Sequence, residues 1–363
     1  MRSRGQRPRG LAGTCVLVVI AALGACARPE AEPLRPLPDA APGELVTLFT
    51  SDDVGRAVSN FRVLAAAPLP DGTVVVQWDP HATDGGDDRE PFSDPQLSIL
   101  GVDGTLRPLA LPETADPAAA DAAALLATDP EGRIYLWAGV GDQAGLVVRG
   151  PDLSWEARPS DLATANTGVP VAAVRADGGV YLSGDDGVYR LAPDGTQQRL
   201  VAVSGSTGSD DPGAPPIPAE QPPLPAQTVT LSAVWGLAVG SDGTVFISTR
   251  SEIVAVDAAG VLSLVTTYQD LQRELGIVSA LDPPFLWSRL SLDADGSLLV
   301  SDSYQQLVAD LEGPAVIARH ATVVSNGLNA TWGPHDDLLL RQLDPNELEA
   351  GPSLPDQLAE FGR

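Results

Sequence analysis

The sequence predicts an all-β fold: a six-bladed β-propeller of four-stranded antiparallel blades, closed by an N-terminal strand in the last blade. Three observations predict it. A unit of four short apolar strands recurs, Asp-Gly pairs punctuate that unit at matching places, and one strand-like segment precedes the first unit. The clearest copies are 236–266 (GLAVGSDGTVFISTRSEIVAVDAAGVLSLVT), 289–318 (RLSLDADGSLLVSDSYQQLVADLEGPAVIA) and 172–203 (AAVRADGGVYLSGDDGVYRLAPDGTQQRLVAV). In each, an alternating apolar strand runs into an Asp-Gly turn and a β-branched strand. A polar loop, a third strand, a second turn and a fourth strand follow. Asp-Gly supplies the positive φ angles that tight hairpins require. Four strands per unit, at intervals of roughly forty to sixty residues, is the period of propeller blades.

The first turns fall at Asp71-Gly72, Glu131-Gly132, Asp177-Gly178, Asp242-Gly243, Asp295-Gly296 and a degenerate Asp336-Asp337, which marks six blades. Second turns include Asp103-Gly104, Asp194-Gly195, Ala259-Gly260 and Glu312-Gly313. An open ring would leave an unpaired sheet edge. Residues 43–53 (GELVTLFTSDD) match in character the fourth strand of a complete unit, 260–270. Leu45 to Phe49 is therefore expected to complete the last blade. The propeller is placed at 44–345, and 346–363 is left as a C-terminal tail. The third strand of the last blade has no clear candidate.

Ahead of the propeller, Arg2, Arg4, Arg7 and Arg9 precede an apolar run of 13 residues, Leu11 to Leu23. A bilayer-spanning helix needs about 20 residues, so this run suits the apolar part of a signal peptide, residues 1–25. The sequence LGAC at 23–26 resembles the bacterial lipoprotein signal. That resemblance implies cleavage before Cys26, acylation of Cys26, and a place at the cell membrane on the extracytoplasmic face. Residues 26–43 hold five prolines and no apolar period, which reads as a stiff tether.

Removing residues 1–25, with four Arg and no acid, takes the net charge from −26 to −30. Nucleic-acid binding rests on cationic neutralisation of phosphates, so that class of partner is excluded. Adsorption to anionic lipid is disfavoured too, leaving the lipid as the membrane attachment. Cys15 lies in the signal, so after Cys26 the domain has no cysteine and no internal disulfide. More than 300 residues are enough to supply a core without one.

The repeats resemble the NHL family of β-propellers, in the branch found in bacterial surface proteins and teneurin-type ectodomains. Gly236 to Ser248 and Leu290 to Asp302 carry that match best. SGSTGSDDPGAPPIPAE (204–220) resembles a degraded form of the glycine-rich linker that joins blades there. This resemblance implies architecture and is almost silent on activity.

Few residues suggest chemistry. There is no G-x-S-x-G elbow, and His81, His320 and His335 lack metal-ligand spacing. The acidic loop 84–94 and Ser209-Asp210-Asp211 read as solvated segments. VSNGLNATWGPHDDLLL (324–340) resembles the Asn-Gly stretch of gluconolactonase and regucalcin-type propellers. That resemblance implies Asn326, with Asn329 close by, as a ligand of a divalent metal such as Ca²⁺, at the mouth of the central channel. The first blade, NFRVLAAAPLPDG, departs from that family by having no acid before Asp71. Trp235 and Trp287 precede equivalent first strands, and with Trp332 they are candidate contacts for a sugar or a peptide. The resulting expectation is a non-catalytic binding module with no cofactor, docking an envelope or extracellular protein or a glycan. The alternatives are a metal-dependent lactonase of gluconolactonase type and a structural accessory subunit of an envelope complex.

Overall fold

The computed structural model describes residues 45–50, 62–79, 96–111, 123–140, 143–162, 170–192, 194–204, 217, 222–275, 288–292, 296–302, 307–312, 315–322, 328–332, 338–342 and 357–361. The chain divides into two units, 1–32 and 33–363, and every described residue lies in the second. The first unit, which holds the expected signal and Cys26, falls outside the described residues.

Among the described residues the strands form six sheets in chain order, each built on four antiparallel strands. Blade 1 holds β2 (Arg62–Pro68), β3 (Val74–Asp79), β4 (Gln96–Leu100) and β5 (Leu106–Pro108). Blade 2 holds β6 (Ala124–Thr128), β7 (Ile134–Val140), β8 (Gln143–Arg149) and β9 (Trp155–Pro159). Blade 3 is built on β10 (Ala172–Val174), β11 (Val180–Ser183), β12 (Gly187–Leu191) and β13 (Gln197–Val203). Blade 4 is built on β16 (Gly236–Val239), β17 (Val245–Ser248), β18 (Glu252–Val256) and β19 (Val261–Thr267). Blade 5 holds β20 (Ser288–Leu292), β21 (Leu298–Asp302), β22 (Leu307–Glu312) and β23 (Ala315–Thr322). Blade 6 runs β24 (Leu328–Trp332), β25 (Leu338–Gln342), β26 (Gln357–Phe361) and then β1 (Leu45–Thr50).

The leading strand thus closes the last blade, with Leu45 opposite Phe361 and Thr50 opposite Gln357. One boundary is corrected. Residues 346–363 are not all a tail, because Gln357–Phe361 is the third strand of blade 6, paired to both β25 and β1. The short apolar alternation QLAEF gives that strand too little sequence signal to stand out, and its pairing across the chain termini fixes it.

First strands of successive blades touch: β2 meets β6, β6 meets β10, β10 meets β16, β16 meets β20 and β20 meets β24. The circuit ends with β2 against β25 and β26. Alternate side chains of each strand point to opposite faces of its sheet, so each blade feeds the seams on both sides. Ala67, Val75 and Leu97 of blade 1 pack with Leu125, Leu136 and Val147 of blade 2. Val188 and Val201 of blade 3 pack with Leu237, Ile247 and Val254 of blade 4. Each fully buried Val or Leu contributes about 1.5–3 kcal/mol, which is how this ring holds without disulfides.

The turns refine the sequence reading. In the first turn, Leu69 N–H donates to Thr73 O at 2.8 Å and Gly72 N–H donates to Leu69 O at 3.0 Å. The same pair of bonds recurs around Gly104, Gly132, Gly178, Gly195, Gly243 and Gly260. This is a type I turn followed by one left-handed residue, a three-residue loop rather than a two-residue one. Only the glycine carries positive φ, from 77° to 88° among these turns. The Asp serves differently: its carboxylate accepts from residue i+2, as when Asp71 takes the N–H of Thr73 at 3.0 Å and its hydroxyl at 2.6 Å.

Two features lie beyond the repeat. After β13, the connection lays β14 (Leu224–Pro225) on the outer edge of blade 4 and β15 (Thr230–Leu231) parallel on the outer edge of blade 3. Both outer edges are thereby covered. A helix, α1 (Tyr268–Leu275), follows β19. Thr267 Oγ1 accepts the N–H of Asp270 and donates to the Asp270 carboxylate, a reciprocal N-terminal cap. Tyr268 and Leu271 then bury against Ile253 of blade 4 and Leu290 and Val300 of blade 5. No helix among the described residues is long and apolar enough to cross a membrane.

Candidate active site

The innermost strands all start at one end of the channel, and the Asp-Gly turns lie at the other. The second strand of every blade ends at the starting end, and its fourth residue is Gln77, Trp137, Ser183, Ser248, Ser301 or Arg341. Opposite these on the innermost strands stand Ala65, Ala124, Val171, Gly236, Arg289 and Asn329. This ring of pairs defines the channel mouth.

Several of the second-strand residues are buried polar groups that hold the mouth in shape. Gln77 is buried, and its side chain bridges two blades: Nε2 donates to Ala123 O at 2.8 Å while Oε1 accepts Leu125 N–H at 2.9 Å. Ser183 Oγ accepts the N–H of Val171 at 2.9 Å. Ser248 and Ser301 are fully buried at the equivalent places. A buried amide or hydroxyl is tolerated only when paired, so these groups fix where the innermost strands begin. Their role is positioning.

The same end holds the most perturbed carboxyl among the described residues. Glu252 opens β18 just after the β17–β18 turn and is 2% exposed. Its Oε2 accepts the N–H of Ile217, from the blade 3–4 connection, at 2.8 Å. Burial pushes its pKa up to about 7, against a smaller opposing effect of that hydrogen bond. It sits on the third strand, removed from the channel axis, and it packs beneath the connection rather than facing a ligand. In the sequence it is marked only as an acid placed between a polar turn and the apolar run IVAV.

The sequence-derived candidates fare differently. Asn326 and Trp287 lie outside the described residues, as do His81, His335 and the loop 84–94. Asn329 lies on β24 opposite Arg341, at the mouth, and Trp332 ends the same strand opposite Leu338, near the turn end. Trp235 is a correction. It is 5% exposed, with its backbone N–H donating to Ser248 O, so its ring is packing and offers no surface to a sugar or peptide. His320 falls on the outermost strand of blade 5. Among the described residues no group of three or more His, Cys, Asp or Glu is placed to hold a metal. By backbone position, three polar residues fall toward the mouth end of blades 5, 6 and 1. Asp302 ends β21 opposite Ser288, Asn329 is on β24, and Asp79 ends β3 opposite Arg62.

The chain matches no protein-family model and no curated protein. Solved structures do share its fold. A calcium-binding regucalcin from Agrobacterium tumefaciens superposes with a TM-score of 0.51 at 14% identity, covering 90% of this chain and 96% of that one. A gluconolactonase from Xanthomonas campestris gives 0.50 at 15% identity, covering 90% and 98%. The PQQ-bound aldose sugar dehydrogenase from Streptomyces coelicolor gives 0.50 at 15%, covering 88% and 99%. At such identities the likeness is one of fold, and it establishes the all-β propeller. It also overturns the expectation of a non-catalytic binding module, since these neighbours are enzymes and a calcium-binding protein and side with the lactonase alternative.

Proposed function

We propose that this protein is a hydrolase of the gluconolactonase kind, opening a cyclic ester at the channel mouth with the help of a hard divalent cation, Ca²⁺ in the first instance. The observation that carries the reading is the ring it shares with a gluconolactonase and a calcium-binding regucalcin, over about nine-tenths of the chain. The S-N-G stretch at 325–327 adds to it, because Asn326 directly precedes the start of β24 by two residues.

Among the described residues no group of three or more His, Cys, Asp or Glu is placed to hold an ion. The ligand this reading rests on is Asn326, whose amide oxygen is of the kind Ca²⁺ takes. When bound, the cation supplies Lewis acidity to the lactone carbonyl. The chain's own residues do the positioning: Gln77 ties the start of blade 2's innermost strand to blade 1, and Ser183 ties Val171 to β11. In the overall reaction water adds to the carbonyl carbon, the ring C–O bond breaks, and a hydroxy acid leaves as its anion with release of one proton.

The reading places the enzyme on the extracytoplasmic face of the cell membrane, anchored through lipid on Cys26, with an NHL-like repeat as its blade unit. Replacing Cys26→Ala is expected to release the protein or leave an uncut precursor; unaltered membrane retention would remove the anchor from the account. For the site itself, calorimetric titration of the soluble propeller with Ca²⁺ is expected to show one saturable event that Asn326→Ala abolishes. Wild-type protein that binds neither Ca²⁺ nor Zn²⁺ would refute the cation-assisted reading.

A further inference from the structure

We infer that Glu252 is a pH-sensitive latch for the blade 3–4 connection: with its proton it seats Ile217 in the seam between blades 3 and 4, and ionised it releases that seat. The inference stands apart from the lactonase reading and needs no bound ion. Glu252 opens β18, the third strand of blade 4, at the mouth end. Along β18, Ile253 packs toward blade 5, while Val254 and Val256 pack with Val188 and Val201 of blade 3. By that alternation Glu252 shares the face of Val254 and belongs to the blade 3–4 seam. Ile217 packs on the same cluster, and its N–H donates to Glu252 Oε2 at 2.8 Å. A buried carboxyl thus sits at the mouth end of an apolar seam, beneath a residue that comes from the connection.

The two sides of this contact are not equally fixed. On the blade side, the Thr249 N–H and hydroxyl donate to Glu252 O at 2.9 and 3.2 Å, and Tyr268 N–H donates to Ser251 O at 3.0 Å. Glu252 also stands opposite Thr267 in the β18–β19 ladder. On the connection side, Ile217 is held by the Glu252 hydrogen bond and its apolar contacts. The connection is next fastened where Leu224 and Pro225 pair with Leu262 and Val261. A buried carboxylate needs water or an opposite charge beside it. The titratable side chains on the elements around Glu252 are Arg250 on the β17–β18 turn, Tyr268 and Asp270 on α1, and Asp185, Asp186, Tyr189 and Arg199 on blade 3. None of them acts on it as a charge. Ionisation therefore draws water to the carboxylate. Lifting Ile217 admits that water at less cost than parting the ladder of blade 4.

The direction follows from burial. The Ile217 N–H favours the carboxylate, but burial outweighs it and raises the pKa from 4.5 to about 7. With Ile217 seated, Glu252 keeps its proton up to about pH 7; with Ile217 lifted, the carboxyl meets water and releases the proton near 4.5. Seating is therefore strongest in acid, weakens as pH rises to about 7, and is constant above that. Between pH 6 and pH 8 the ratio of seated to lifted protein falls roughly tenfold.

The test is hydrogen exchange of the full chain, resolved at the Ile217 and Tyr268 amides, at pH 6 and pH 8 and corrected for the intrinsic rate of each amide. Tyr268 reports the blade side, since its N–H is tied to Ser251 O. In wild type, protection at Ile217 is expected to fall roughly tenfold from pH 6 to pH 8, and to lie below that of Tyr268 at both. Glu252→Gln, which cannot ionise, is expected to keep the same Ile217 protection at both pH values. Protection at Ile217 that ignores pH in wild type, or that falls equally in Glu252→Gln, would overturn the latch. Equal protection of Ile217 and Tyr268 would overturn it too, because the opening would then be loss of the blade and not release of the connection. Should Glu252→Gln not fold, the two wild-type criteria decide alone.

Discussion

Glu252 makes the stability of the ring depend on pH across the neutral range. Its carboxyl is 2% exposed, takes one N–H from Ile217, and has its pKa raised from 4.5 to about 7 by burial. The titratable side chains on adjoining segments are Arg250 on the β17–β18 turn and Tyr268 and Asp270 on α1. None of them acts on it as a charge; burial and the Ile217 N–H are its influences. An acid whose pKa is higher in the folded state holds its proton there between pH 4.5 and 7, while the unfolded chain has released it. Stability from this group is therefore full below pH 4.5 and falls as pH rises to about 7, after which it is flat. A difference of this size corresponds to roughly 3 kcal/mol at most, which water reaching the carboxylate would reduce. Glu252→Gln keeps the shape and an acceptor for Ile217 and cannot ionise. Denaturant unfolding of both proteins from pH 5 to 8.5 is the assay. The variant is expected to gain on wild type as pH rises, by one to three kcal/mol at pH 8. A difference between the two that does not change with pH would refute the reasoning.

Four further substitutions probe the blade geometry. Leu153 is the one non-glycine with positive φ among the described residues, at 66°, in a turn position that glycine holds elsewhere, and it is 63% exposed. Leu153→Gly is expected to stabilise by about 0.5–1 kcal/mol in urea unfolding, and a loss would count against the strain argument. At Gly178, φ is +81° and an added Cβ would meet Arg133 Nη2 at 2.7 Å. Gly178→Ala should therefore cost about 2 kcal/mol, seen as a lower urea midpoint, whereas Gly260→Ala, with open space around it, should cost about half that. Gln77→Leu orphans Ala123 O and Leu125 N, and a loss of about 2–4 kcal/mol by the same assay is expected.

The ring itself was legible because hairpin punctuation is local chemistry. Gly72, Gly132, Gly178, Gly243 and Gly296 all adopt the left-handed turn that their Asp-Gly or Glu-Gly pairs announced. The closing strand was legible for the same reason, since its apolar alternation repeats that of β19. What escaped was whatever depends on distant partners. QLAEF becomes a strand only between β25 and Leu45–Thr50, and the helix after β19 is announced only by Thr267 and Asp270. Trp235 misled because position before a first strand does not distinguish a mouth residue from a buried one.

The central claim is that the mouth of this ring is a lactone-opening site dependent on Asn326. The most direct measurement is proton release from D-glucono-1,5-lactone and D-galactaro-1,4-lactone, followed at constant pH with Ca²⁺ and then with excess chelator. The account predicts release above the uncatalysed rate on at least one lactone with wild type and Ca²⁺, falling to background on chelation and in Asn326→Ala. Release at the background rate for wild type, or release that Asn326→Ala leaves intact, would contradict it.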